Sequence, residues 1–353
     1  MELKKYEELE QMTEVEIADY YYNLFNSIEE EVGKAKFDSM SLSELVNYYE
    51  KPMTPDEAFS KKNFFELRKM TIEQISDYYR RYRKHLFDNG VELKNIKIRE
   101  KIHSFLVSII KIDRIISGEK ISVINRENTK TKRPVIFACT HIGGNDVQRV
   151  FEAIKDPAYL FLGDPKGLYR DIGGVLLSLN GVICMETNNK IDRRIGKERA
   201  LELLNKNGSL LIFPEGAWNI SPNQPVMDIY NGTVDLARKT NAEIIPVGIE
   251  QYDNKFFVSI GKNITPEQIS DMTINEANQL LRDALATEKW RVFESQKVVD
   301  RKSMEDITVE EFQQKIVEKC EYEFSLQDVF DTMYHDKSKV DPDEAFSFRG
   351  RLR

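Results

Sequence analysis

The chain is poor in the residues that build covalent or metal frameworks. It holds three cysteines, Cys139, Cys184 and Cys320, in 353 residues, too few and too scattered for a disulfide scaffold or a thiolate cluster. Cys139 and Cys184 fall inside apolar runs and read as buried strand residues, and such usage fits a reducing cytosol. Positive charge is also short, with 51 Lys and Arg against 59 Asp and Glu and a net charge of −8, which argues against a general nucleic-acid binder. No run of about 18 apolar residues occurs, so no helix is expected to span a membrane. Met1 to Glu8 contain no apolar stretch of signal-peptide length. Nothing clusters with ligand spacing, so no metal is expected. What remains is a composition of globular type, 41% hydrophobic and 31% charged, on a chain longer than one core usually serves.

Three regions follow from the patterning. Residues 1–92 read as a helical extension, with capping boxes at Thr13/Glu16, Ser41/Glu44 and Thr71/Gln74 and an aromatic-rich helical stretch from Ile72 to Phe87. Residues 93–264 alternate strand-like and helix-like pieces, the pattern of a mainly parallel sheet covered by helices. Strands are expected at Pro134–Cys139, Ala158–Leu162, Gly181–Met185, Ser209–Phe213, Glu243–Ile249 and Phe256–Ile260. Helices are expected at Asp146–Ile154, Lys190–Asn205 and Gly232–Lys239. Residues 265–353 turn helical again, opening on Thr265-Pro266-Glu267-Gln268, with a further start at Thr308/Glu311 and a charged tail from Lys337. The hexapeptide Pro-Asp-Glu-Ala-Phe-Ser occurs at both Pro55–Ser60 and Pro342–Ser347, outside the α/β region, as two equivalent helix starts or by coincidence.

Charge is uneven along the chain. From Lys94 to Arg133 eleven basic residues face four acidic ones. Within that window Ile102–Ile116 carries Phe105, Leu106, Ile109, Ile110, Ile115 and Ile116. Such a helix either packs on the core with a solvated basic face, the commoner arrangement, or rests on an anionic bilayer.

Two segments concentrate the chemistry. An apolar run ends in Thr140-His141-Ile142-Gly143-Gly144-Asn145-Asp146, and a second ends in Phe213-Pro214-Glu215-Gly216. Both read as the C-terminal end of a buried strand feeding a turn, where open α/β sheets carry their sites. His85, His103 and His335 lie in helical stretches without a partner pattern and read as ordinary surface or helix residues. His141 is different, because Gly143 and Gly144 let the backbone turn tightly. Asp146 would fall in the first turn of the next helix, able to fold back on the imidazole and fix its tautomer. The product is a general base; the plainer alternative is a capping aspartate beside a buried histidine. Glu215 can bind a substrate hydroxyl, brace the site or sit solvated in a turn. Lys166 and Arg170, between two strands, can reach an anion, as can the helical cluster Lys190, Arg193, Arg194 and Lys197, although a solvated face suits that cluster better.

Taken in order, these segments resemble the lysophospholipid acyltransferase family, which acylates glycerol phosphate and lysophosphatidic acid. Its block H-x-x-x-x-D is matched by His141 and Asp146, and F-P-E-G-T-R by Phe213, Pro214, Glu215 and Gly216, with Ala217 and Trp218 in the last two places. G-x-x-F-x-x-R is matched by Gly181 alone, Cys184 and Thr187 standing for the Phe and Arg. The fourth block, an apolar run with an embedded proline, is matched by Ile244-Ile245-Pro246-Val247. The resemblance covers residues 93–264. It implies a glycerolipid acyltransferase-like α/β fold and catalysis by His141 as base with Asp146 orienting it. It also implies a substrate site including Gly143, Gly144, Glu215 and Gly216. The donor would be acyl-CoA or acyl carrier protein, a substrate, with no other cofactor. The acceptor would be a lipid-type hydroxyl, and the enzyme cytoplasmic, with peripheral contact at the anionic inner face of the membrane.

Thr187 and Trp218 replace the arginines associated with the acceptor's phosphate, and neither supplies a charged fork. Trp218 and Asn219 would then face a saccharide, an amide or another uncharged acceptor, unless Lys166, Arg170, Arg193 or Arg194 brings the charge from another direction. A lipid-binding relative without turnover is the non-enzymatic alternative, against which intact His141, Asp146 and Glu215 argue.

Overall fold

The computed structural model describes residues 96–131, 134–163, 179–185, 190–221, 224–296 and 308–318, with isolated positions at 62, 66, 69–71, 74, 78, 81, 176–177 and 329. The caps at Thr13 and Ser41, both hexapeptides, the charged tail, Lys166, Arg170 and Thr187 lie outside the described residues. The reciprocal bonds of Thr71 with Gln74 form, as do those of Thr308 with Glu311.

The described elements run α1 (Ile96–Ile116), β1 (Lys120–Ile124), a 3-10 turn (Arg126–Thr129), β2 (Val135–Cys139), α2 (Asp146–Ile154), β3 (Tyr159–Gly163), β4 (Val182–Met185), α3 (Lys190–Asn205), β5 (Leu210–Ile212), α4 (Gly232–Thr240), β6 (Glu243–Tyr252), β7 (Lys255–Ile260), α5 (Pro266–Ile269), α6 (Ile274–Glu294) and α7 (Val309–Glu318). One seven-stranded sheet has the order β1-β7-β6-β2-β5-β3-β4. β6, β2, β5, β3 and β4 run parallel to their neighbours, and β7 turns back antiparallel on β6 and carries β1 parallel beside it. The protein is thus α/β, with a mainly parallel mixed sheet flanked by helices.

Strand β1 is an addition to the expected set. Its Ile121 and Val123 pack on the core, but Lys120 and Ser122 alternate with them inside the basic window, so the period-two pattern is too short to stand out.

Side-chain alternation divides the core between two faces. Val135, Phe137 and Cys139 of β2 point to one face, with Val247, Ile249 and Val258, where α2 supplies Val150, Phe151 and Ile154 and α1 supplies Ile110. Ile136 and Ala138 point to the other, with Leu210 and Ile244, covered by α3, α4 and α6 through Leu203, Leu236, Leu281 and Leu285. Helix α6 opens at its own capping box, Thr273 with Glu276. Pro246 sits inside β6 where β7 has ended, its carbonyl accepting from Gly261 at 2.8 Å. A Cβ on Gly261 would come within 2.7 Å of the Pro246 ring, so the glycine is what admits the proline there.

Helix α1 packs one row of side chains on the core and leaves another bare. Its inner row, His103, Leu106 and Val107, is buried. Its outer row leaves Phe105 65% and Ile116 80% exposed, with Ile112 and Ile115 beside them. His103 is a helix residue as expected but has a partner: it is 3% exposed, its Nδ1 lies 2.6 Å from Asn180 Oδ1, and its ring meets Phe151 edge-on. No described helix is long and apolar enough to cross a membrane.

Candidate active site

Sheet register brings the two chemical segments together. β2 and β5 are parallel neighbours with Ala138 opposite Ile212. Carried past the strand ends, that register sets His141 beside Glu215. The contact forms: the His141 amide donates to Glu215 Oε1 at 3.0 Å. Thr140 anchors the preceding step, its amide on the Val247 carbonyl and its Oγ1 accepting from the Ile249 amide at 3.0 Å.

Asp146 is the first residue of α2 and folds back over the turn. Its Oδ2 lies 2.7 Å from His141 Nδ1 and accepts the amides of Ile142 at 2.9 Å and Gly143 at 3.0 Å. A carboxylate so placed accepts a hydrogen bond from Nδ1–H, the tautomer in which Nε2 keeps its lone pair. Asp146 is 1% exposed, so the charge is held by hydrogen bonds rather than by water. Gly143 and Gly144 have φ of +81° and +61°, a backbone that side-chain-bearing residues resist.

Glu215 is fully buried. Its second oxygen accepts the Met227 amide at 2.8 Å, so the side chain ties the histidine turn to the loop beyond β5. Burial pushes its carboxyl above the ordinary value, opposed first by the Met227 and His141 amides and then by the Lys289 charge. Of the roles open to Glu215, this geometry supports bracing. Gly216 closes the turn on the Phe213 carbonyl with φ +74°.

The imidazole is bounded by aromatics. Phe213 stacks on it at 4.2 Å, and Trp218 stands edge-on at 6.3 Å. Asn219 faces inward through its backbone, donating to the His141 carbonyl at 2.7 Å, while its side chain closes its own loop on Gln224 and Ser221. Cys139, just beneath, is buried with its thiol pushed well up by burial and by Asp146, which leaves it no thiolate character. Among the described residues no group of His, Cys, Asp and Glu could hold a metal.

Several positioning residues escaped sequence reasoning. Arg149, fully buried on α2, pairs with Glu119 at 2.6 Å, and Glu119 also accepts from Asn145 at 3.1 Å. Together they fix the helix start that carries Asp146. Lys289 of α6, also buried, donates to the Ile249 carbonyl at 2.9 Å and to Glu250 at 2.5 Å, behind Thr140. Asn145 and Arg149 are four residues apart at one helix start, which is legible; that Glu119 reaches them, and Lys289 the end of β6, depends on tertiary packing.

Residues 120–250 match the sequence model of the family described as Acyltransferase. A solved structure of the 1-acyl-sn-glycerophosphate (LPA) acyltransferase PlsC from Thermotoga maritima is similar, with 16% identity over 67% of this chain and 88% of that one, at a TM-score of 0.43. No curated protein matches.

Proposed function

We propose, from the match of residues 120–250 to the acyltransferase family model, that the protein moves a fatty acyl group from an acyl thioester to a hydroxyl of a lipid-type acceptor, with His141 as general base. The observation that carries this is the 2.7 Å contact of Asp146 Oδ2 with His141 Nδ1. It leaves Nε2 free to take the acceptor's proton as the acceptor oxygen attacks the thioester carbonyl. The ester C–O bond forms, the C–S bond breaks, and the proton held on His141 passes to the leaving thiolate. Asp146 stabilises the imidazolium without being protonated. Glu215 holds the backbone of His141, so the base has a fixed origin.

Lipid substrates are met at a membrane, and α1 supports a peripheral approach to it. Phe105, Ile112, Ile115 and Ile116 form an exposed apolar row in a stretch rich in Lys and Arg, the combination that favours an anionic surface.

The test is thioester consumption. The full chain is given long-chain acyl-CoA or acyl-loaded carrier protein with lysophosphatidic acid, glycerol phosphate, neutral glycolipids or saccharides, while thiol release and product mass are followed. Acceptor-dependent thiol release with an acylated product is the expected result. No turnover with any pair would favour the binding-protein reading.

A further inference from the structure

Helix α7 lies far along the chain from the matched family segment, yet it packs at the histidine turn. Ile316 and Val317 are buried with Ala217, Ile220 and Met227, and Trp218 packs on the same cluster. The position of Gly143 shows how close this cover comes. A Cβ built there would meet Trp218 at 3.1 Å and Ile316 Cγ2 at 3.5 Å. The glycine between the two reacting residues therefore sits directly under Trp218 and a side chain of α7.

We propose that α7 is the outer wall of the catalytic cleft, and that Ile316 with Trp218 selects an acceptor whose hydroxyl is carried on an uncharged body. This rests on the acyl-transfer reading and extends it to the acceptor. The wall is indole, aliphatic side chains and the Phe213 ring. Among the described residues, those that form it offer no charged fork to repay a phosphate for the water it would lose there. The nearby described cations are engaged elsewhere: Lys289 on Ile249 and Glu250, and Arg282 on the carbonyls of Val226 and Met227 and on Asp228. An apolar face, such as a sugar ring's or an alkyl chain's, gains burial there instead.

Two readouts separate this proposal from the reading beneath it. The chain has two tryptophans, so in a Trp290→Phe background Trp218 alone reports on the wall. Ile316→Ala should shift its emission to the red and increase acrylamide quenching, whereas Val309→Ala, on the exposed side of α7, should not. Unchanged emission in Ile316→Ala overturns the wall, whether or not the protein turns over. The second readout is the ratio of kcat/KM for a neutral against a phosphorylated acceptor. Trp218→Arg and Ile316→Ala should lower it by roughly tenfold, the scale set by one or two pocket contacts, with far-ultraviolet circular dichroism unchanged. A constant ratio overturns the selectivity claim. If the wild-type protein consumes no thioester at all, the acyl-transfer reading falls and the selectivity claim with it, and the emission alone decides the wall.

Discussion

In the proposed reaction His141 acts through the nitrogen that Asp146 leaves bare. Replacing Asp146 with Asn offers an amide that can present its N–H to Nδ1 and so favour the wrong tautomer. Asp146→Asn should therefore lower kcat by about 10²- to 10⁴-fold with little change in acceptor KM, read by steady-state kinetics. Glu215 sits one strand away and answers to a different measurement. Gln keeps one acceptor but turns an N–H toward a backbone N–H inside a fully buried site. Glu215→Gln should cost about 1–3 kcal/mol in urea unfolding; a raised acceptor KM with unchanged stability would mean it touches substrate instead. His103 is buried and its pKa is lowered from 6.5, chiefly by that burial. As pH falls, the unfolded chain takes this proton before the folded one does. The contribution of His103 is thus complete above pH 6.5 and lost below it. The thermal midpoint should fall as pH drops below about 6.5, less so in His103→Gln. Equal slopes in the two proteins would contradict this.

Among the elements, those that touch the site were unequally legible. β2 and β5 announce themselves because each apolar run gives way to a turn signal, Thr140-His141 and then the glycine pair after β2, Pro214 after Phe213. Their adjacency could not be read locally, because the pairing of Ala138 with Ile212 is set by the packing of the whole sheet. β1 was hidden by its lysine and serine, and the contact of Ile316 with the histidine turn has no local signature at all. Helix α1 was legible as amphipathic, but sequence alone could not say that one face would be used up by the core and another left bare. That bare face makes an element-scale prediction. Vesicles containing anionic lipid should bind the protein in a salt-sensitive way, because surface attraction is screened. Phe105→Ser with Ile112→Ser should weaken that binding without altering the thermal midpoint. Equal binding by neutral and anionic vesicles at all salt concentrations would contradict it.

At the scale of the whole molecule, the sheet is the device that makes a site from distant segments. Five strands run parallel, so the ends of β2 and β5 open on one edge, and β6 sends Val247 and Ile249 to hold Thr140 there. Helix α6 closes the far side of β6 and lodges Lys289 behind the same edge. The proposed base thus depends on three strands, β2, β5 and β6, and two helices, α2 and α6, while His141 and Asp146 belong to one turn. Preorganisation of this kind predicts that the imidazole can be removed without loss of the fold, since the backbone of residue 141 is held by Glu215 and Asn219 and Asp146 also holds the amides of Ile142 and Gly143. The most direct measurement is the rate of acyl transfer by His141→Ala, with its thermal midpoint recorded beside that of the wild-type protein. The account predicts transfer reduced by at least about 10²-fold at a nearly unchanged midpoint. Transfer at the wild-type rate from a folded His141→Ala protein would contradict it.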